Sequence, residues 1–590
     1  MKGIFLTNAL KCIVDVSAYI VLLLSNNEWR DDPKGNIKMT MIQNPVIPGM
    51  APDPSIIRVG ETFYIATSTF HWTPGVQIFE STDLANWTLI DQVLKNGEIN
   101  LQGTNTPAGI WAPHLSYDEA TGRYWLAYSH MLNMAGREFN SDSYAMWATD
   151  IRGPWSEPIY LTSIGFDPAI FHDEDGKHYV SILEWESRTG YQAPGHIVIA
   201  EVDLENGGII GDWHRVTQGF TTRGAAEAPQ IYKRDDYYYL LIAAGGTGYG
   251  HGVEIGRSKN VFGPYEAHPS GEPIITSSPQ HLFSLGDPDA GQFQMYNPNS
   301  VMQKAGHGSL VQTQTGEWYI AHLMSRPLPD TTLNPLGRET SLQKMAWTAD
   351  GWLQMADGSN LAKMEVPGMT GVEFENTASE DINETFDSET IDNHFMTPYR
   401  DQTASWVNTT ENPGHMRIYG GNSFFSQMQP SIMATRATSF VYDVETAVTF
   451  QPDHYSETAG LGLYYDANNW FYARLYKSES LGTTTLSVLQ AKLGERVEYV
   501  FNKVPMPEGH VELRMHYDFG RATISYRRNA NEEWTVLVAD IDVAYLSDEG
   551  VNGEPGEIGG FTGLFNFIGS VDAHQHDSFA DFDYYSVKNN

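Results

Sequence analysis

Three acids stand in similar settings far apart in the sequence: Asp53 in Asp53-Pro54-Ser55-Ile56-Ile57, Asp167 in Asp167-Pro168-Ala169-Ile170-Phe171, and Glu227 in Glu227-Ala228-Pro229-Gln230-Ile231. Two carboxyl groups can cut a glycosidic bond: one protonates the leaving oxygen, and the other activates a water or attacks the sugar. A third acid nearby can raise the donor's pKa by like-charge repulsion and orient it by hydrogen bonding. A single Asp-Pro reads first as a turn or a strand start; three acids in one repeated setting point to a shared site.

The surrounding sequence supplies elements that could bring them together. Strand-like runs dominate, as in Thr62-Phe63-Tyr64-Ile65-Ala66-Thr67, Tyr124-Trp125-Leu126-Ala127-Tyr128 and Tyr237-Tyr238-Tyr239-Leu240-Leu241-Ile242, each following a turn signal such as Val59-Gly60-Glu61. No long stretch has helical periodicity, so the chain reads as all-β. A degenerate repeat opens at Asp53, at Trp111-Ala112-Pro113-His114-Leu115, at Asp167, at Glu227 and at His307-Gly308-Ser309-Leu310-Val311. The steps of about 55–80 residues suit propeller blades. In a five-bladed β-propeller the innermost strands line a central channel, so residues opening those strands converge on one end of the axis. Taken as equivalent, Asp53, Asp167, Glu227 and His307 would meet there. After about residue 370 the pattern changes to alternating strands, with Val511, Leu513, Met515 and Tyr517 turning at Asp518-Phe519-Gly520 into Ala522, Ile524 and Tyr526. That segment reads as an antiparallel β-sandwich.

Residues 43–365 resemble glycoside hydrolase family 43, in its β-xylosidase and α-L-arabinofuranosidase branch. The resemblance is carried by Asn44-Pro45-Val46, Pro52-Asp53-Pro54-Ser55-Ile56, Thr67-Ser68-Thr69-Phe70-His71-Trp72-Thr73-Pro74-Gly75-Val76, Gly109-Ile110-Trp111-Ala112-Pro113, Gly165-Phe166-Asp167-Pro168, Gly306-His307-Gly308-Ser309-Leu310 and Pro335-Leu336-Gly337-Arg338-Glu339-Thr340. The later segment is similar to that family's C-terminal, concanavalin-like domain. The chain is expected to divide into a leader of doubtful status (1–38), ending just before Met39, Met41 and the first motif, a propeller catalytic domain (39–370) and a β-sandwich (371–590). The resemblance implies Asp53 as the base that activates water, Glu227 as the general acid and Asp167 as the third acid, working by inversion. Phe70 and Trp111 match pocket-wall aromatics; Thr247, His307 and Arg338 match further substrate-binding positions. No metal is implied in catalysis and no cofactor is expected, although some members hold calcium or a water network beside the residue matching His307. The chain departs from the pattern at Ala228 and Ala244, which leaves the sugar preference open.

The implied activity is an exo-acting, inverting β-1,4-xylosidase that releases xylose from xylo-oligosaccharides. The alternatives are an α-L-arabinofuranosidase, or an enzyme with both activities, and, from another class, a non-catalytic xylan-binding protein. A formal net charge of −37 argues against nucleic-acid partners and against docking on anionic membranes, and suits a neutral sugar. One cysteine, Cys12, excludes an internal disulfide. The apolar run at 17–24 is too short to span a bilayer and has no small-residue cleavage site after it. A cytoplasmic location is therefore expected, with secretion or a periplasmic location following only if residues 1–38 act as a signal. The family resemblance also leaves room for a homo-oligomer.

Overall fold

The aromatic and β-branched runs fall between short turns, and each becomes a strand of an antiparallel meander. The computed structural model describes residues 40–590 apart from 96, 98, 279–294, 378, 380 and 553–559; the expected leader, 1–38, lies outside the described residues. Five four-stranded meanders span residues 55–94, 109–162, 165–217, 227–267 and 303–355, the fourth with one extra short strand. These are the blades of the five-bladed propeller expected from the repeat. The ring is closed without a shared sheet. Met41–Gln43 pairs with Glu365–Pro367, Ile47 bridges Thr340, and the Ile56 amide in the first blade donates to Ser309 Oγ in the fifth at 3.0 Å.

One irregularity recurs in the first strand of the second to fifth blades and decides where side chains point. In the third blade the pairs Phe166–Leu183 and Ala169–Ser181 bracket Asp167-Pro168, so two residues oppose one. The same bulge brackets Ala112-Pro113, Ala228-Pro229 and His307-Gly308 in the second, fourth and fifth blades. The leading residue of each bulge has left-handed backbone: Ala112 (φ 40°), Asp167 (61°), Ala228 (50°) and His307 (53°), matched in the first blade by Asp53 (55°). Non-glycine residues seldom adopt this conformation, and a bulge re-aims the side chain it carries. Proline suits the second position because the bulge leaves no ladder bond for an N–H to make.

This register corrects the expected alignment of the acids. Asp53, Asp167 and His307 are equivalent, but Glu227 precedes its bulge and occupies the place of Trp111, Phe166 and Gly306. Alignment by acid type put it one residue off; the prolines at 54, 113, 168 and 229 carry the true register.

Residues from Ile382 to Asn589 form two antiparallel sheets. Val511, Leu513, Met515 and Tyr517 are buried between them, and Phe519-Gly520 (φ 41° and 83°) makes the two-residue turn to the next strand, as the alternation predicts. The sandwich packs hard against the propeller, and residues 40–590 form one compact unit. Fully buried Trp72 of the first blade stacks on Phe565 of the sandwich with ring centres 3.7 Å apart and meets Tyr464 edge-on at 5.8 Å. Beside it Trp72–Thr73 pairs as a short strand with Thr397–Pro398. Lys304, wholly buried in the fifth blade, ion-pairs with Glu549 of the sandwich, which also accepts the Asn334 amide at 2.8 Å.

Candidate active site

All eight residues singled out from the sequence line one cavity of about 400 Å³: Asp53, Phe70, Trp111, Asp167, Glu227, Thr247, His307 and Arg338. The backbone at the blade openings explains the convergence of the acids and His307. Each blade begins at the same end of the axis, and the left-handed turn at Asp53, Asp167 and His307 swings those side chains into the channel mouth.

Asp53 is buried and densely partnered. Ser68 Oγ donates to its Oδ2 at 2.6 Å, and Oδ1 faces His307 Nδ1 at 3.4 Å and Arg338 Nη1 at 3.5 Å. Burial works to raise its pKa, but Arg338, His307 and Ser68 together outweigh burial and hold the carboxyl below the usual aspartate value. Asp53 is therefore an anion at neutral pH. Ser68 is itself fixed, since its oxygen accepts the Ala112 amide at 2.7 Å.

Glu227 lies in the opposite regime. Burial first, then the charge of Asp53, push its pKa up to about 7, with Arg338 opposing. Asp167 is raised well above the ordinary value by burial, then by Glu227 and Asp53. Repulsion between Asp167 and Glu227 is mutual, so the two titrate as a pair that retains a proton where Asp53 has none. Asp167 also grips the backbone beside the donor: its Oδ2 accepts the Ala228 amide at 3.1 Å, while its own amide donates to Ser129 Oγ at 3.1 Å.

Arg338 ties the polar and aromatic halves together. Its guanidinium donates to Thr247 Oγ1 at 2.9 Å and to the Phe561 carbonyl at 3.2 Å, and lies 4.6 Å from the Phe561 ring and 5.4 Å from Phe70. Phe70, Trp111 and Phe561 form a mutually edge-on or tilted wall, and Phe166, Phe139 and Trp185 extend it. Such faces suit the apolar C–H surface of a sugar ring. Trp111 is pinned by its indole N–H to the Pro107 carbonyl at 2.9 Å.

Beyond the added wall aromatics Phe139, Phe166 and Trp185, four further contributors were not foreseen. Phe561 reaches in from the sandwich, more than two hundred residues from Arg338. Ser68, just after the strand Thr62–Thr67, and Ser129, within Arg123–Asn133, support the acids. His251 is buried against His307, and burial together with that histidine lowers its pKa to about 3. Its Nδ1–H donates to the Lys304 carbonyl at 3.0 Å. Gly306 is required here: a Cβ would come within 2.4 Å of the His251 ring.

The groups facing His307 offer calcium little. They are Asp53, whose carboxylate already meets Ser68, His307 and Arg338, together with His251, His114 and the Arg338 cation. Calcium takes about six to eight oxygen ligands, and these side chains do not build such a cage.

Residues 42–353 match the family described as glycosyl hydrolases family 43, and residues 383–588 match a β-xylosidase C-terminal concanavalin A-like domain. A xylan 1,3-β-xylosidase from a Vibrio species is 34% identical over 92% of this chain and 99% of its own. A xylosidase/arabinosidase 43B from Humicola insolens is 35% identical over 93% of this chain and 97% of its own. The crystal structure of a xylan β-1,4-xylosidase from Bacillus halodurans superposes with a TM-score of 0.85 at 37% identity, covering 93% of this chain and all of that one.

Proposed function

The chain belongs to glycosyl hydrolase family 43, and on that premise we propose that it is an exo-acting β-1,4-xylosidase that inverts configuration. The observation that carries this is the split between the acids that share the cavity: Asp53 is held ionised by Arg338, His307 and Ser68, whereas Glu227 keeps its proton to about pH 7. A base and an acid poised together at neutral pH are what single-displacement hydrolysis needs.

In the proposed step, a water held by Asp53 attacks the anomeric carbon of the terminal xylose as Asp53 takes its proton. The glycosidic bond breaks, and its electron pair goes to the leaving oxygen, which receives the proton of Glu227. Xylose leaves with inverted configuration, and exchange with solvent returns a proton to Glu227 and removes one from Asp53. Asp167 positions the donor through the Ala228 amide, and burial with the charge of Asp53 keeps Glu227 protonated. Arg338 and Thr247 hydrogen-bond sugar hydroxyls, and Phe70, Trp111 and Phe561 pack the ring. Closure of the pocket by Phe561 supports attack at a chain end.

The 1,4 linkage is supported by the Bacillus halodurans structure, while the Vibrio relative favours 1,3 and the Humicola relative allows arabinosides. Comparing kcat/KM on β-1,4-xylobiose, β-1,3-xylobiose and an aryl α-L-arabinofuranoside tests the assignment. Preference for β-1,4-xylobiose is expected; a higher value on either of the others would replace it. Asp53→Asn should abolish turnover while xylose still binds, and activity unchanged in that variant would overturn the catalytic roles.

A further inference from the structure

A second cluster of ligating side chains lies at the opposite end of the blades and takes no part in the chemistry above. Asp118 ends the first strand of the second blade (Gly109–Asp118), His172 ends the first strand of the third (Gly165–His172), and His178 begins the strand that follows (His178–Trp185). One ligand atom from each lies within 4.8 Å of the other two. Five residues of strand separate His172 from Asp167, which puts the cluster about 16 Å from the catalytic acids.

We propose that Asp118, His172 and His178 bind a divalent transition-metal ion of the zinc class, which staples the second blade to the third. Three features of the cluster support a built site. The two imidazoles meet through Nδ1 and Nδ1 at 2.9 Å, a contact that needs one proton shared between two lone pairs. A metal ion replaces that proton and satisfies both nitrogens. The far nitrogen of His172 is engaged, with Nε2 at 3.0 Å from Ser116 Oγ. A hydrogen bond to the second ring nitrogen is the usual means of fixing a ligating histidine's tautomer and orientation. The Asp118 carboxylate is held as well: its oxygens accept the Ala120 amide at 3.0 Å and the Thr121 hydroxyl at 2.6 Å, and each keeps a further lone pair.

Two imidazoles and one carboxylate form a borderline donor set that suits zinc, cobalt or nickel over calcium or magnesium. A tetrahedral shell with bonds of about 2.0 Å sets ligand atoms about 3.3 Å apart. The nitrogens would part slightly and the carboxylate would close in. A cavity of about 220 Å³ lined by Asp118 and His178 gives solvent access and room for a water as fourth ligand. The two cations on its rim are neutralised, Arg123 by Glu205 at 2.6 Å and Lys177 by Glu201 at 2.8 Å. The other described group with ligand spacing, Glu384, Asp392 and His394, lies on the surface of the sandwich and serves as the control.

The test is titration of the full-length, metal-stripped protein with zinc chloride by calorimetry, and with cobalt chloride by visible absorption. The expected result is one tight site whose cobalt spectrum has the intensity of tetrahedral nitrogen and oxygen ligation. Zinc affinity should fall at least about tenfold in His178→Ala and in Asp118→Asn, and remain in His394→Ala. Zinc should raise the melting temperature of the wild type by several degrees and of neither site variant. Xylosidase kcat should be the same in Asp118→Asn as in the wild type. Absence of a tight site in the wild type, which needs no variant to fold, would overturn the proposal and leave a proton-sharing histidine pair. Retention of zinc affinity in His178→Ala, or its loss in His394→Ala, would overturn it equally.

Discussion

Replacing Glu227 with Gln gives a test of the site electrostatics that does not depend on turnover. The Glu227 carboxyl is raised from 4.5 to about 7, chiefly by burial and then by Asp53. Between those pH values the unfolded chain has released this proton and the folded chain has kept it. The folded state binds more protons, so stability falls as pH rises through this window and levels off above about pH 7. A pKa unit is worth about 1.4 kcal/mol, which sets a ceiling of about 3.5 kcal/mol on the penalty. Water in the open pocket screens the charge, and about 2 kcal/mol is the working figure. Glu227→Gln removes the penalty and also removes one of the charges that raise Asp167. The variant should therefore match the wild type in melting temperature at pH 4.5 and exceed it by about 2 °C at pH 8. Differential scanning calorimetry in a pH series reads this directly. A difference that is constant with pH, or that favours the wild type more strongly at pH 8, would refute the proposed titration of Glu227.

Three further outcomes follow from the same contacts. Glu227→Gln should lose at least about 10²-fold in kcat on xylobiose but far less on an aryl xyloside with an acidic leaving group, since general-acid help is worth about 10²–10⁴-fold only where the leaving group needs it; equal losses on both substrates would count against Glu227 as donor. Ser68→Ala removes a donor to Asp53, so the acid limb of the kcat/KM profile should move to higher pH, while an unmoved limb would show that Ser68 does not help hold Asp53 ionised. Phe561→Ala should raise KM on xylobiose about tenfold by opening the wall and unstacking Arg338, with Tm little changed; unchanged KM would exclude the sandwich from the substrate pocket.

Much of this was legible in the sequence because the signals are local. The strands announce themselves by aromatic runs between turns, and the hairpin at Phe519-Gly520 by strict alternation on either side. Asp53, Asp167 and His307 were found because a repeat forces equivalent residues onto one axis. What escaped depends on long-range packing. Phe561 has no periodic or motif signal, and its place is fixed by Arg338 and by the docking of the sandwich through Trp72 and Phe565. Ser68 lies inside a recognised segment, but nothing in its type shows that it faces Asp53. The one-residue displacement of Glu227 was visible in principle, since Pro229 follows Ala228 as Pro54 follows Asp53. Aligning carboxylates instead of prolines hid it. The displacement has a chemical consequence: Asp53 sits at the left-handed position and Glu227 one residue before it, so base and acid approach the axis differently although their blades are alike.

The most direct test is the anomeric configuration of the first sugar released. Proton NMR during early turnover of xylobiose, before mutarotation, should show α-xylose growing first from the non-reducing end, as attack by an Asp53-activated water opposite the leaving group requires. Initial appearance of β-xylose would mean a covalent intermediate and two displacements, and would contradict the assignment of Asp53 as base and Glu227 as acid.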